Sequence, residues 1–493
     1  MRRLLFVLAI GCGGSQPMTP PPADANPAAD ARPDAADRVP PEIVSTTPAD
    51  DEGDRPVTQA FTAKFSEPID PATVTDQTFF MFAGSRIAGT IAVTGDTATF
   101  TPAAPLDVST RYSVTLAPPI ADLAGNALVT DHTYRFNTVH RRRVFVTSIQ
   151  NTGRLAGWPG ANGRVGLAAA DSVCQTRAVA ANLDGTFVAW LSDDTHDAFC
   201  RVQGLPGTRA ANCGQGAPPH DAGPWVRIDG QPWAATIDAL TVFTPPLLEE
   251  HGLPSPAVYF SSSTATGAGT TNCVNWTSNG FGGVGYGGAR TTGTYWTQWG
   301  TTTCASFASL LCVETGASAI ALVFPPAGAK LAFVTSTAVT GNLGASADAG
   351  GATGVAAGDA ICQTRAAAAG LANAPTFKAW LSDDTIAAPA RIISNGPWAR
   401  LDGIRIANSK LDLLDGQLAT TPSQTETGAY LSDVQAWTNT TSAGAGALAS
   451  CTGWTSDIGL GFAGRANDSG PHWTRDASAD CASALRLYCF EDM

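Results

Sequence analysis

One long segment of this chain occurs twice, and the repeat begins after His140. Four runs return in the same order: Val144–Ser148 as Ala332–Ser336, Cys174–Ala178 as Cys362–Ala366, Phe187–Thr195 as Phe377–Thr385, and Gly223–Trp225 as Gly396–Trp398. Each copy keeps its own aromatic and aliphatic positions, so each requires its own hydrophobic core. A chain of 493 residues is in any case too long for one core. The sequence therefore predicts two copies of one domain and at least one further unit.

The cysteines indicate an exported protein. There are eleven, and an odd number in a secreted chain requires an explanation for the unpaired one. Residues 1–11 contain two arginines, the apolar run Leu4–Ile10 and then Gly11, which is typical of a signal peptide. The junction before Cys12 resembles the lipobox of bacterial lipoproteins, with Ala9 where leucine is usual. We therefore expect lipidation at Cys12, with ordinary signal cleavage as the alternative.

The ten other cysteines are enough for five bridges in an oxidising compartment. Residues 12–40 consist mainly of proline, alanine and aspartate, and such a segment buries too little apolar surface to fold, so we predict a disordered tether. The net charge of −13 disfavours nucleic acid as a partner, because phosphate backbones are bound by clustered Lys and Arg. The expected location is the bacterial outer membrane or cell surface, with the lipid as the contact to the membrane.

Residues 41–139 have the pattern of an all-β sandwich. Short runs such as Tyr112–Leu116 and Tyr134–Phe136 alternate apolar and polar residues between turns rich in Pro, Asp and Gly. The segment Phe65–Pro71, followed later by Asp122–Asn126, resembles the bacterial Ig-like domain of S-layer and other surface proteins. That resemblance implies a spacer without chemistry of its own.

The repeated domain is predicted to be α+β. The Val144–Ser148 run and Phe187–Ser192 are predicted strands, and the alanine-rich stretch around Cys174 a helix. Within Phe187–Ser192 the residues Phe187, Ala189 and Leu191 share the core face, because side chains alternate along a strand. Lys378 replaces Val188 in the second copy, so that face is at most half-buried.

The cysteines after the helix have matching positions in the two copies, but four cysteines allow three pairings and spacing does not choose among them. The strand, the cysteine-bearing helix, the Thr-Phe-x-Ala-Trp-Leu-Ser run and the terminal Leu-x-Cys-x-Glu resemble the endostatin domain, whose fold is that of C-type lectins, and a similar domain of bacterial lipoproteins. The match covers about 142–316 and 329–493. It implies Cys174–Cys312, Cys273–Cys304, Cys362–Cys489 and Cys451–Cys481. Cys200 and Cys213 remain, and most simply pair across an insertion found in the first copy alone.

Few motifs suggest chemistry. The carbohydrate motifs of calcium-dependent lectins are missing, and no histidine position is shared by the copies or has metal-ligand spacing, so we predict solvated loop histidines and neither a metal site nor a cofactor. The Ser-Asp-Asp run does repeat, as Asp193 and Asp194, then Asp383 and Asp384. A carboxylate pair can act in acid-base chemistry, but Ser and Asp also end strands and satisfy loop amides, and we favour that interpretation.

A glycine-rich loop of the first copy is the candidate ligand region. It carries aromatic side chains that can stack on a ligand or cap the core: Phe281, Tyr286, Tyr295, Trp296 and Trp299. The resulting hypothesis is a non-enzymatic surface lipoprotein whose heads bind an extracellular glycan or protein. The alternatives are a structural envelope component and, last, a hydrolase using the repeated aspartates. Any specificity should lie where the two copies differ.

Overall fold

The computed structural model describes residues 37–238, 240–318, 320–322, 324, 329–447 and 449–493. The signal, Cys12 with its predicted lipid and most of the tether lie outside these ranges. Backbone contacts divide the chain into two compact units, one containing Arg111–Asn137 and the chain up to Leu106, the other containing Asp107–Thr110 and Thr138–Met493. Among the described helices, none has the length and apolarity needed to cross a membrane.

The first unit is a β-sandwich, as its alternating pattern predicts. Its strands are β1 Ile43–Thr47, β2 Glu52–Arg55, β3 Phe61–Phe65, β4 Phe79–Ala83, β5 Ser85–Arg86, β6 Gly89–Thr94, β7 Thr97–Pro102, β8 Arg111–Leu116 and β9 His132–Thr138. A four-stranded sheet has the order β1-β3-β7-β6 and a five-stranded sheet the order β2-β9-β8-β4-β5. Phe61 of one sheet stacks on Phe136 of the other with ring centroids 4.8 Å apart, which joins the two inner faces into one core.

The second unit contains the two copies, here called the first head (from Thr138 to Glu314) and the second head (from Lys330 onwards). The first head has strands β10 Arg142–Val146, β11 Phe187–Ala189, β12 Trp225–Arg227, β13 Pro232–Ala234, β14 Val258–Phe260, β15 Gly283–Gly288, β16 Gly300–Thr303 and β17 Ser309–Glu314, with helices α1 Gly166–Ala180 and α2 Ala198–Arg201. The second head has strands β18 Lys330–Val334, β19 Phe377–Ala379, β20 Trp398–Ala399, β21 Arg405–Ala407, β22 Gln435–Trp437, β23 Leu460–Arg465, β24 Ala477–Asp480 and β25 Arg486–Glu491, with helices α3 Gly354–Ala368, α4 Ala388–Arg391 and α5 Cys451–Trp454.

The two heads share one topology. The first sheet has the order β13-β12-β10-β17-β14-β15-β16, with β11 also paired to β17, and the second has β21-β20-β18-β25-β22-β23-β24, with β19 paired to β25. The first and last strands of each head therefore lie side by side at the centre. Each head has two clusters of buried side chains, one of them including the long helix. Fully buried tryptophans such as Trp190 and Trp380 occupy equivalent places in these clusters.

Five disulfides crosslink the heads internally, and they join the cysteine pairs predicted from the sequence. The bridges Cys174–Cys312 and Cys362–Cys489 tie the long helix of each head to its last strand. Cys273–Cys304 and Cys451–Cys481 close shorter loops. Cys200–Cys213 joins α2 to the following turn. The second head lacks that bridge, and its Ala390 stands in α4 where Cys200 stands in α2.

The strand predicted over Phe187–Ser192 is shorter in the structure and ends at Ala189. Its core face is as predicted, since Leu191 is buried although it lies beyond the strand. The reason for the early end is a buried arginine: Arg201 Nη1 donates to the carbonyls of Ala189 and Leu191, both at 2.7 Å. The Ala189 carbonyl also accepts from Leu191 N at 2.8 Å. The chain therefore turns at this point, and the two carbonyls face the guanidinium and not a neighbouring strand. Arg391 does the same in the second head.

The heads dock through equivalent residues. Thr291 forms an antiparallel bridge with Asp468, and these residues have the same position in the two copies. Around them Thr292 N donates to Asn467 O at 2.9 Å, and Ser469 N donates to Arg290 O at 2.8 Å. Thr292 corresponds to Ser469 and Arg290 to Asn467. The two hydrogen bonds are therefore equivalent, and exchanging the two heads converts one into the other. The contact therefore has approximate twofold symmetry.

Two arginines extend this symmetry. Arg400 Nη1 donates to Phe243 O of the first head at 2.7 Å, and its counterpart Arg227 donates to Ala419 O of the second head at 3.4 Å. Phe243 and Ala419 are again equivalent positions. Each arginine is held in place by an aspartate two residues on, Asp402 or Asp229. We call this set of contacts the head junction.

Candidate functional site

The repeated Ser-Asp-Asp run is a structural turn in both heads. Ser192 is buried, bonds to the Ser263 hydroxyl at 2.8 Å and accepts a hydrogen bond from Ala198 N at the start of α2. Asp193 Oδ1 accepts from Thr195 N, Thr195 Oγ1 and His196 N at 2.7 to 2.9 Å. Ser382 and Asp383 make the corresponding bonds. The hydroxyl is enclosed and the carboxylate is occupied by its own loop, an arrangement that ends a strand and does not orient a nucleophile.

The ionisation of these aspartates fits the same role. Burial alone raises the pKa of Asp193, but the hydrogen bonds from Thr195 and His196 outweigh it and the pKa lies below its usual 3.8. The pKa of Asp383 is lowered in the same way by Thr385 and Ile386. Both groups therefore stay ionised at neutral pH, whereas a general acid needs a raised pKa. Their neighbours Asp194 and Asp384 accept from Asn272 and Ser450.

Replacing both aspartates by asparagine tests this role. Asparagine keeps an acceptor but loses the charge, so at pH 7 we expect Asp193→Asn with Asp383→Asn to lower the free energy of unfolding by about 1 kcal/mol per site. A lowered folded-state pKa gives stability that is present above the usual 3.8 and is lost as the pH falls through the folded value. Urea titrations at pH 7 and near pH 3 should therefore show a smaller difference from the wild type in acid. A difference independent of pH contradicts this assignment.

The aromatic residues of the candidate loop do not form one surface. Trp296 is buried in the core beside Trp190, with ring centroids 5.0 Å apart. Tyr295 lies at the head junction, where the Arg465 guanidinium of the second head stands 4.5 Å from its ring centroid. Tyr286 and Trp299 contact each other, with ring centroids 6.3 Å apart. Phe281 alone is fully exposed, at 90%. Trp296 is therefore a core residue, and ligand contact by the other members of the set stays a prediction.

Acidic clusters and histidines are mostly engaged in local bonds. Glu249, Glu250 and His251 have carboxylate and ring atoms within 4.8 Å of one another, but Glu250 binds Ser148 and Arg177, and Glu249 accepts from His251 and Leu253. A second group in the Ig-like unit, Asp37, Glu67 and Asp122, has similar spacing. The sequence did not single out either group. His140 also departs from the solvated-loop prediction, because its side chain is only 14% exposed and pairs with buried Glu314.

A polar cleft lies where the second head meets the first. It has a volume of about 540 Å³ and is lined by Tyr295, Asp433, Gln435, Arg465, Leu485 and Arg486 among others. We call it the junction cleft. Strand register builds it: β22 lies between β23 and β25, so that Gln435 pairs with Arg465 and Ala436 lies beside Arg486. Three polar side chains are thereby brought to one end of the sheet.

The charges of the junction cleft are unequal. Asp476 Oδ2 accepts from Arg465 Nη2 at 2.8 Å and from Gln435 Nε2 at 3.2 Å, which neutralises Arg465 and fixes both side chains. Asp433 accepts from Thr294 Oγ1 of the first head at 2.6 Å and from Asn467 Nδ2 at 3.1 Å. Arg486 makes one hydrogen bond, from Nη1 to Thr335 O at 2.6 Å. Among the described residues Arg486 has no ion-pair partner.

Comparison with known proteins identifies one part of the chain. Residues 37–138 match the family model of the bacterial Ig-like domain. The unit seen as a two-sheet sandwich thus carries an Ig-like domain, as its motifs predict. A search of curated protein sequences finds no significant match.

Solved structures with similar regions include S-layer proteins. A crystal structure of the S-layer protein SbsC is 22% identical, and the match covers 22% of this chain and 15% of that one, with a TM-score of 0.17. The N-terminal part of SbsC is 21% identical over 22% of this chain and 26% of its own, with the same TM-score. CopC from Methylosinus trichosporium OB3b is 14% identical over 20% of this chain and 92% of its own, again with a TM-score of 0.17. The chain thus spans about a quarter or less of the S-layer proteins that it matches.

Sequence reasoning missed the junction cleft, although a signal for it existed. Gln435, Arg465 and Arg486 stand where the first head has Val258, Gly288 and Ser309. Comparing the copies position by position shows that the second head has a larger polar or charged side chain at each of these three positions. These residues form a cleft only because their three strands are neighbours, and the sequence does not show how the strands pair.

Proposed function

We propose that this protein is a non-enzymatic cell-surface lipoprotein whose two heads have the C-type-lectin fold and form a binding module for an extracellular glycan or protein. Lipid at Cys12 and the residue 12–40 tether hold it at the outer membrane, and the Ig-like domain acts as a spacer. The Ig-like family match and the five disulfides support an exported location. The strand and helix order of the heads supports the lectin-type fold.

The observation that carries the binding proposal is the junction cleft. Ligand sites are typically concave, of a few hundred cubic ångströms, with a small number of convergent polar groups. The cleft has this size, its side chains are held by Asp476, and it lies where the heads differ. The corresponding region of the first head has a smaller pocket of about 250 Å³ lined by Val258, Phe307 and Ala308 among others.

A glycan and matrix-protein array probed with the full oxidised chain tests this proposal. We expect at least one reproducible signal, and we expect Gln435→Val, which installs the residue of the first head, to reduce it several-fold. Phe307→Ala in the first-head pocket is the matched control and should leave the signal unchanged. A folded chain that gives no array signal, and only self-contacts when crosslinked on intact cells, overturns the binding proposal and favours a structural envelope component.

A further inference from the structure

We propose that the junction cleft binds an acidic saccharide, with the sugar carboxylate on Arg486. This inference rests on the proposed binding function and adds the chemistry of its ligand. Arg486 is half-buried at the start of β25 and donates to one backbone carbonyl, Thr335 O. A guanidinium has five N–H donors in a planar fork that matches a carboxylate, and in the described part of the chain no carboxylate pairs with this one.

The two arginines of the cleft differ in how their charge is balanced. Arg465 is neutralised by Asp476, which binds it through both Nε and Nη2. The Arg465 guanidinium also covers the Tyr295 ring. Arg465 is therefore part of the wall of the cleft, and Arg486 is the group left to bind an anion from outside. A partly enclosed cation pairs more strongly than an exposed one, because screening by solvent is weaker.

Other groups of the cleft suit the hydroxyls and the ring of a sugar. Asp433 and the Gln435 amide both line the cleft, the first as an acceptor and the second as a group that can also donate. Hydroxyl groups are the natural partners of both, since they can donate to the carboxylate and accept from the amide. Val434 and Leu485 supply apolar surface for the C–H face of a ring. A carboxylate on Arg486 and hydroxyls towards Asp433 together describe a hexuronic acid better than a neutral sugar or a simple anion.

The first head cannot offer the same site. At the positions of Gln435 and Arg486 it has Val258 and Ser309, and Ser309 is fully buried. We therefore expect one acidic-saccharide site per chain although the domain is present twice. The site also needs the first head, since Tyr295 and Thr294 belong to it and hold Arg465 and Asp433.

Calorimetric titration of the full oxidised chain with a galacturonate disaccharide tests the inference, with the matching galactose disaccharide as the neutral probe. We expect a stoichiometry of one, and binding of the neutral sugar at least about tenfold weaker. Arg486→Ser should lower the affinity for the acidic sugar by about tenfold or more, and tenfold corresponds to about 1.4 kcal/mol. We expect the variant to fold, because the first head has serine at the same position. Arg405→Ser is the control, because Arg405 is also half-buried but lies on β21 at the far edge of the same sheet.

The outcomes separate the inference from the proposed function. Equal binding of acidic and neutral sugars, or affinity unchanged by Arg486→Ser, overturns the assignment of Arg486 but leaves a binding protein. Two acidic-sugar sites per chain overturn the assignment to the second head. No binding of either sugar overturns the inference, and the array then decides whether the binding function survives with another ligand.

Discussion

Replacing Cys174 and Cys312 together by alanine is expected to lower the free energy of unfolding of the first head by about 5 kcal/mol. The bridge joins residues 138 apart, and a crosslink that closes so long a loop removes much conformational entropy from the unfolded chain. Both cysteines are also fully buried between α1 and β17, so their loss leaves the helix attached by packing and by side-chain hydrogen bonds such as those of Asp171 and Gln175 to β11. A loss of this size is comparable to the whole stability of many domains.

The Cys200–Cys213 bridge is the matched control. It closes only 13 residues, and the same entropy argument gives about 3 kcal/mol for its removal. Its absence from the second head shows that the fold can form without it. Denaturant titrations of the two double-alanine variants under oxidising conditions measure the difference. If removal of the short-range bridge costs as much as removal of the long-range one, loop entropy does not govern the stability of the heads.

Arg400→Met is expected to destabilise the second head by about 3 to 5 kcal/mol and to uncouple the two heads. Arg400 is fully buried, pairs with Asp402 at 2.7 Å and donates to the first head at Phe243 O. Methionine fills most of the volume, but it leaves Asp402 without its cation and Phe243 O without its donor. Removing one partner of a buried ion pair commonly has an effect of this size, because the remaining charge is poorly solvated.

The uncoupling can be observed by calorimetry. The wild-type heads share a docked surface and should unfold with overlapping transitions, whereas the variant should show the second head unfolding first, at a lower temperature. Arg405→Met is the control, since Arg405 is half-buried on β21 and makes no ion pair within the described ranges. A variant of Arg400 that unfolds like the wild type would falsify the role of this arginine in the head junction.

Much of the fold follows from local pattern. The period-two runs place the strands of the Ig-like unit, and the shared core face of Phe187, Ala189 and Leu191 is visible in the sequence because both copies keep it. The early end of β11 is not visible there. It depends on Arg201, ten residues or more further along the chain, reaching back to two carbonyls, and a local pattern contains no information about such a contact.

The candidate site was harder to predict for a related reason. The aromatic loop was chosen because tyrosine and tryptophan near glycine suggest a ligand surface, but aromatic side chains serve burial equally well, and Trp296 is core while Tyr295 supports a neighbouring domain. The expectation that specificity lies where the copies differ stays a prediction, and it directs attention to the second head. Gln435 and Arg486 are ordinary residues in the sequence, and only the pairing of β22 with β25 makes them neighbours.

The approximate twofold symmetry of the head junction bears on how the chain arose. Contacts between equivalent positions, such as Thr291 with Asp468, are what two identical subunits form when they make a symmetric dimer. This is the form expected of a homodimer whose subunits are joined by duplication and fusion of one gene. Once the subunits are covalently joined, a substitution in one no longer appears in the other. The second head can therefore carry Arg486 while the first head has a buried serine at the same position, an asymmetry that a dimer of identical chains cannot encode.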